Sequence, residues 1–142
     1  MPIRDIRNNL KPILAQTDVI STDTTTDGAI VDTADFDQGV VFLFLATAYT
    51  DGTYTPLLEE SATGAFAGEE TAIADKNMQG TEAGAALSAA DAELGVLGSI
   101  GITGTLRYIR STIVSASTST GATITTIAVM APELVPDPNL SA

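Results

Sequence analysis

Short apolar or alternating runs, separated by Asp-Gly, Gly and Pro punctuation, dominate the chain. The strongest is Val40-Val41-Phe42-Leu43-Phe44-Leu45-Ala46, which opens after Gly39 and is apolar at odd and even positions alike. Such a run predicts a central strand covered on both faces. Leu106 to Ser115 alternates instead: Arg107, Ile109, Ser111 and Ile113 share one face, and Tyr108, Arg110, Thr112 and Val114 the other. A turn over Ser117 to Gly121 leads into a last strand, Ala122 to Ala131. Asp51-Gly52 turns the chain into Thr53 to Glu60, where Pro56 has no amide to donate and places that strand at an edge or a bulge. Nearer the N-terminus, Asp18 to Thr22 and Ala29 to Thr33 read as short strands, with Asp27-Gly28 as a hairpin turn.

Ser61 to Gly80 reads as loop. Thr81 to Leu94 is the single helix candidate, with Ala83, Ala86, Leu87, Ala90 and Leu94 at helical spacing, Thr81 to cap and Gly95 to stop. Six to eight short strands with at most one helix predict an all-β fold, an antiparallel sandwich or barrel. The simplest partition is an N-terminal basic arm (residues 1–14), a sandwich domain (15–131) and a Pro-rich C-terminal arm (132–142).

Composition narrows the function. The chain has 142 residues, enough for one domain with its own core, but no His and no Cys. Ser-His-Asp and Cys-His catalysis, thiolate and imidazole metal sites and thiol redox chemistry are thereby excluded. The net charge is −12, unfavourable for binding nucleic acid through the phosphate backbone. The longest apolar run is far shorter than the ~20 residues that span a bilayer, and no signal-peptide core follows the N-terminal cations. Charge is also split. Residues 1–11 hold Arg4, Arg7 and Lys11 against Asp5, a net of +2, and the remainder carries −14. A basic arm ahead of an acidic body reads either as a docking element or as a solvated terminus with a few stray cations.

Several patterns suggest chemistry and fail on their own physics. Asp23-x-Thr25-x-Asp27-Gly28-x-Ile30 begins like a calcium-binding loop, but its twelfth position is Ala34, not a bidentate carboxylate. Asp32, Asp35 and Asp37 could gather oxygen ligands around a hard cation, and read first as a solvated acidic loop. Gly95, Gly98, Gly101 and Gly104 lack the Lys-Ser/Thr of a phosphate loop and read as sites of tight turning or close backbone approach. Of the acid pairs Glu59-Glu60 and Glu69-Glu70, the first lies in a strand, where neighbours point to opposite faces and do not act together. Arg107 and Arg110 lie on opposite strand faces, and the expected partner for at least one is Glu59 or Glu60 across the ladder. Tyr49, Tyr54 and Phe66 either anchor an interface or close the ends of the core.

The stretch Asp51-Gly52-Thr53-Tyr54-Thr55-Pro56-Leu57-Leu58-Glu59-Glu60-Ser61 precedes a Gly-rich approach to Gly101-Ile102-x-Gly104-Thr105-Leu106-Arg107-Tyr108-Ile109-Arg110. Together with the Thr-rich turn and final apolar strand, this resembles the small decoration or cement proteins of tailed-phage capsids, over about residues 36–132. The resemblance implies a jelly-roll-like β-sandwich acting as a homodimer or homotrimer on the outer surface of the virion, assembled in the host cytoplasm. Its partner is then the major capsid protein, with no catalysis, cofactor, small-molecule substrate, nucleic acid or membrane. Arg4, Arg7 and Lys11 become the candidate capsid contacts, pairing with acidic capsid surface. Two other readings stay open: a receptor- or glycan-binding fibre module, and a head-completion or tail protein.

Overall fold

In the last strand of the chain, Ala122, Ile124, Thr126, Ala128 and Met130 are buried, while the residues between them are not. That two-residue period puts one face of a pleated strand into a core, and it recurs in Val40–Thr47 and in residues 53–58. The computed structural model describes residues 10–34, 39–89 and 98–131. Among them are strands β1 (Lys11–Ile20), β2 (Thr25–Asp27), β3 (Val31–Asp32), β4 (Val40–Thr47), β5 (Thr53–Ser61), β6 (Thr71–Ala72), β7 (Met78–Gln79), β8 (Gly98–Ile102), β9 (Tyr108–Ala116) and β10 (Ala122–Met130). Two sheets form, ordered β1-β10-β4-β8-β7 and β2-β9-β5-β6, with β3 also paired to β9. Every pairing is antiparallel. The protein is an antiparallel β-sandwich.

Phe42, Phe44, Ile100, Ile124 and Met130 of the first sheet meet Tyr54, Leu58, Ile109 and Ile113 of the second, all at most 1% exposed. Each such side chain contributes roughly 1.5–3 kcal/mol when buried. Tyr54 keeps its hydroxyl satisfied at the end of the core, donating to the Asp51 carbonyl at 2.8 Å. Burial raises its pKa. Tyr49 stands edge-on to it, ring centroids 6.3 Å apart.

The structure redraws several elements. The first strand starts at Lys11, so Lys11 to Leu14 belong to the sandwich and not to the arm; their backbone pairs with Ile127 to Met130. The segment around Asp27-Gly28 is not a hairpin. β2 and β3 both run along β9, and between them Gly28 N donates to Ser111 O at 2.8 Å and Ala29 N to Ala15 O at 2.7 Å. This segment closes one side of the sandwich by bonding to both sheets. A side chain at position 28 would put its Cβ 2.5 Å from the Ser111 carbonyl oxygen, so glycine is required there. Within the expected helix, residues 83–85 make a single 3-10 turn and Leu87 pairs with Tyr54 through bonds of 2.8 and 2.9 Å. Ala85 and Leu87 are both buried, a spacing that suits extended chain and not a helix. Ala90 and Leu94 lie outside the described residues. The expected loop of residues 61–80 holds β6 and β7, and Gly98–Ile102, read as a site of tight turning or close backbone approach, is a strand paired to β4 in which a Cβ on Gly98 would lie 2.5 Å from the Ala85 carbonyl oxygen. Pro56 sits in a stretch of β5 laddered to β9 on one side, while β6 reaches only Glu59 and Glu60 on the other.

Candidate contact surfaces

The outer face of the first sheet follows from the register. Rows across it read Pro12-Val129-Val41-Gly101-Gln79, then Leu14-Ile127-Leu43-Ser99, then Thr17-Thr125-Leu45, then Val19-Thr123-Thr47. No residue in these rows is charged. Leu14 is 63% exposed, Val19 76%, Val41 40% and Ile127 36%. Val40 to Ala46 is therefore central, as its apolar run predicts, but among the described residues only one of its faces is covered. Phe42 and Phe44 point into the core, while Val41, Leu43 and Leu45 point out. A contiguous apolar face of this kind marks an interaction surface.

The outer face of the second sheet has the opposite character. Arg110 donates to Glu59 from Nη2 at 2.7 Å and from Nε at 3.1 Å, and from Nη1 to Asp27 at 3.1 Å. Thr112 Oγ1 lies 3.0 Å from Glu59 Oε2 and 3.2 Å from Asp27 Oδ1, and the Phe66 ring caps the guanidinium at 4.7 Å. The Arg110 side chain is 10% exposed and that of Glu59 14%, whereas Asp27 is half open to solvent. These charges are committed to one another. The expected cross-strand partner of Arg110, Glu59, is present, and Asp27 joins from β2. Arg107 pairs instead with Asp32, through Nε and Nη2 at 2.8 Å each. That fork, with help from the Ala34 amide, holds the Asp32 carboxyl at about 2, below its ordinary 3.8.

The remaining candidate chemistry disperses in the same way. Asp23 accepts from Thr118 N while Asp27 serves Arg110, so the calcium-like pattern does not converge. Glu60 accepts from Leu106 N at 2.7 Å and stands apart from Glu59; Glu69 and Glu70 accept from Thr63 Oγ1 and Gly68 N. Asp51 is a loop anchor, accepting from the hydroxyl and amide of Ser119 and the amides of Thr120 and Gly121. The Ser119 hydroxyl foremost, then the Gly121 amide, lowers its carboxyl to about 2. Tyr49 and Tyr54 close the end of the core, and Phe66 covers the ionic cluster. Asp35, Asp37 and Gly95 lie outside the described residues.

Of the capsid-contact candidates, Arg4 and Arg7 also lie outside the described residues, and Lys11 is the exposed first residue of β1. Because Lys11 is in register with Met130, the start of β1 and the end of β10 lie side by side. Leu10 and Ala131 line one shallow hollow of about 180 Å³, together with Val40, Val41 and Val129. The sequence pattern carries no signal for this pairing, since the paired positions Lys11 and Met130 lie far apart along the chain. Comparison with protein-family models, curated proteins and solved structures returns no match.

Proposed function

We propose that this chain is a structural protein of a tailed-phage particle, a decoration protein that binds the outer surface of the capsid and stabilises the lattice of the major capsid protein. The observation that carries the reading is that β1 starts and β10 ends side by side. Residues 1–10, with Arg4 and Arg7, and residues 132–142 join the sandwich at one pole, next to Lys11 and Met130. A sandwich of jelly-roll type with both arms at one pole would direct that pole at the shell and the acidic body outward. Its action is by contact, without catalysis. A protein that binds the assembled lattice and not free subunits raises the free energy of rupture, and the effect multiplies over many copies.

The test uses purified shells of the major capsid protein. The full chain should co-sediment with assembled shells and not with free subunits, and it should raise the temperature at which they rupture. Removing residues 1–9 should lower occupancy, and high salt should do the same, because exposed ion pairs are screened. Absence of binding to shells, or unchanged rupture temperature at full occupancy, refutes the proposal. Binding to a glycan array in place of shells would move the chain to the fibre-module reading.

A further inference from the structure

We infer that the outer face of the first sheet is occupied by a second copy of this chain, two sandwiches packing sheet against sheet about a two-fold axis near Leu43. The inference is independent of the capsid reading and concerns a different surface from the pole where the arms leave.

Three observations lead to a second copy. The first is charge. The chain carries −12, yet Leu14, Val41, Leu43, Leu45, Ile127 and Val129 lie in rows that contain no charge at all. A two-fold contact lays a patch against itself, so any net charge on it would face its own sign. An uncharged patch on a strongly acidic body is a surface that another acidic copy can approach without that cost.

The second is size. β1, β10 and β4 run eight to ten residues, β8 five and β7 two; at about 4.8 Å spacing and about 3.3 Å rise they give a footprint of roughly 540 Å². A standard interface takes about 800 Å² from each partner, so the face supplies about two thirds of a standard one. Its anatomy fits as well: Leu43 and Ile127 sit centrally, and Thr17, Thr47 and Thr123 supply a polar border at one end.

The third is that edge pairing through β1, the other route by which sheets associate, is blunted. This edge strand carries Lys11 and Pro12 and shifts register between Leu14 and Gln16. Lysine, proline and a bulge are the devices that discourage strand addition. Association is thereby directed to the face.

The experiment is sedimentation equilibrium on the full chain. The wild-type protein should have twice the 14.6 kDa monomer mass. Leu43→Asp should sediment as the monomer with an unchanged far-UV spectrum, its dissociation constant raised roughly 100-fold or more, as for a central anchor residue. Val114→Asp, on the exposed face of the second sheet, should remain dimeric. Because the chain has no cysteine, Leu43→Cys gives a second readout should Leu43→Asp fail to fold: a short bis-maleimide should join two copies covalently. A wild-type monomer overturns the inference, whether residues 132–142 or a foreign protein then cover the face. So does a trimer, a folded Leu43→Asp variant that stays dimeric, or a Leu43→Cys variant that does not cross-link.

Discussion

Replacing Arg110 by methionine keeps most of the side-chain volume and removes the cation from the outer face of the second sheet. Glu59 then loses both bonds from the guanidinium, at 2.7 and 3.1 Å, and keeps only the Thr112 hydroxyl at 3.0 Å. With 14% of its side chain exposed, the carboxylate regains little hydration. Removing one member of a buried pair costs about 3–5 kcal/mol, chiefly because the other charge stays behind. The Asp27 contact adds little, since that carboxylate is 55% exposed and exposed pairs are worth about 0–1 kcal/mol. Glu59 is not sealed off completely, so the expected loss sits near the lower bound, about 3 kcal/mol. In urea, with a slope of roughly 1–3 kcal/mol/M, the midpoint should fall by about 1–3 M. The double variant Arg110→Met with Glu59→Met should recover most of the loss, because an apolar replacement of a buried pair is close to neutral. A single variant that loses under about 1 kcal/mol, or a double variant no more stable than the single, would refute the account of Arg110 as the counter-ion of a desolvated carboxylate.

Two further perturbations test the loops. Asp51 has its pKa lowered to about 2, so its contribution is complete above the ordinary 3.8 and disappears as the pH falls through about 2. The stability difference between wild type and Asp51→Asn, from thermal melts, should be constant near neutral pH and shrink between pH 4 and pH 2; the difference isolates this carboxylate from the relief of repulsion that acid brings to the other acidic groups. Gly121 has φ +100°, and a Cβ there would overlap the Ile20 carbonyl oxygen. Gly121→Ala should therefore cost at least about 2 kcal/mol in denaturant titration, more than loss of chain entropy alone can return.

What the sequence discloses is set by how clean the pattern is. β4 is an unbroken apolar run and β9 and β10 alternate, so their positions follow from the pattern alone; β1 is longer, at ten residues, but its alternation breaks at the register shift between Leu14 and Gln16, and only its end was legible. β6, β7 and β8 have no such signal. Gly98–Ile102 offers only Ile100 and Ile102 at strand spacing, and it becomes a strand because β4 presents a free edge to it. The helix at Thr81 was suggested by alanines three and four apart, which exposed loops also accumulate; pairing of Leu87 with Tyr54 decides against it. Among the contacts, Arg110 with Glu59 was legible because the ladder sets them directly opposite. Asp27 in the same cluster was not, since it arrives from a strand with no pattern of its own. The apolar run of β4 predicts cover on both faces, but among the described residues only the face of Phe42 and Phe44 is covered, and Val41 is 40% exposed.

The place of β10 between β1 and β4 has a consequence for synthesis. β1 and β4 leave the ribosome early, yet neither pairs with the other; each waits for Ala122–Met130, which emerges last among the described strands. Until then the phenylalanines of β4 have no finished sheet to rest in, and closure of the chain over such long separations is slow. The first sheet is accordingly completed only once residues 122–130 are available, and a nascent chain halted before residue 122 should be a client for chaperones.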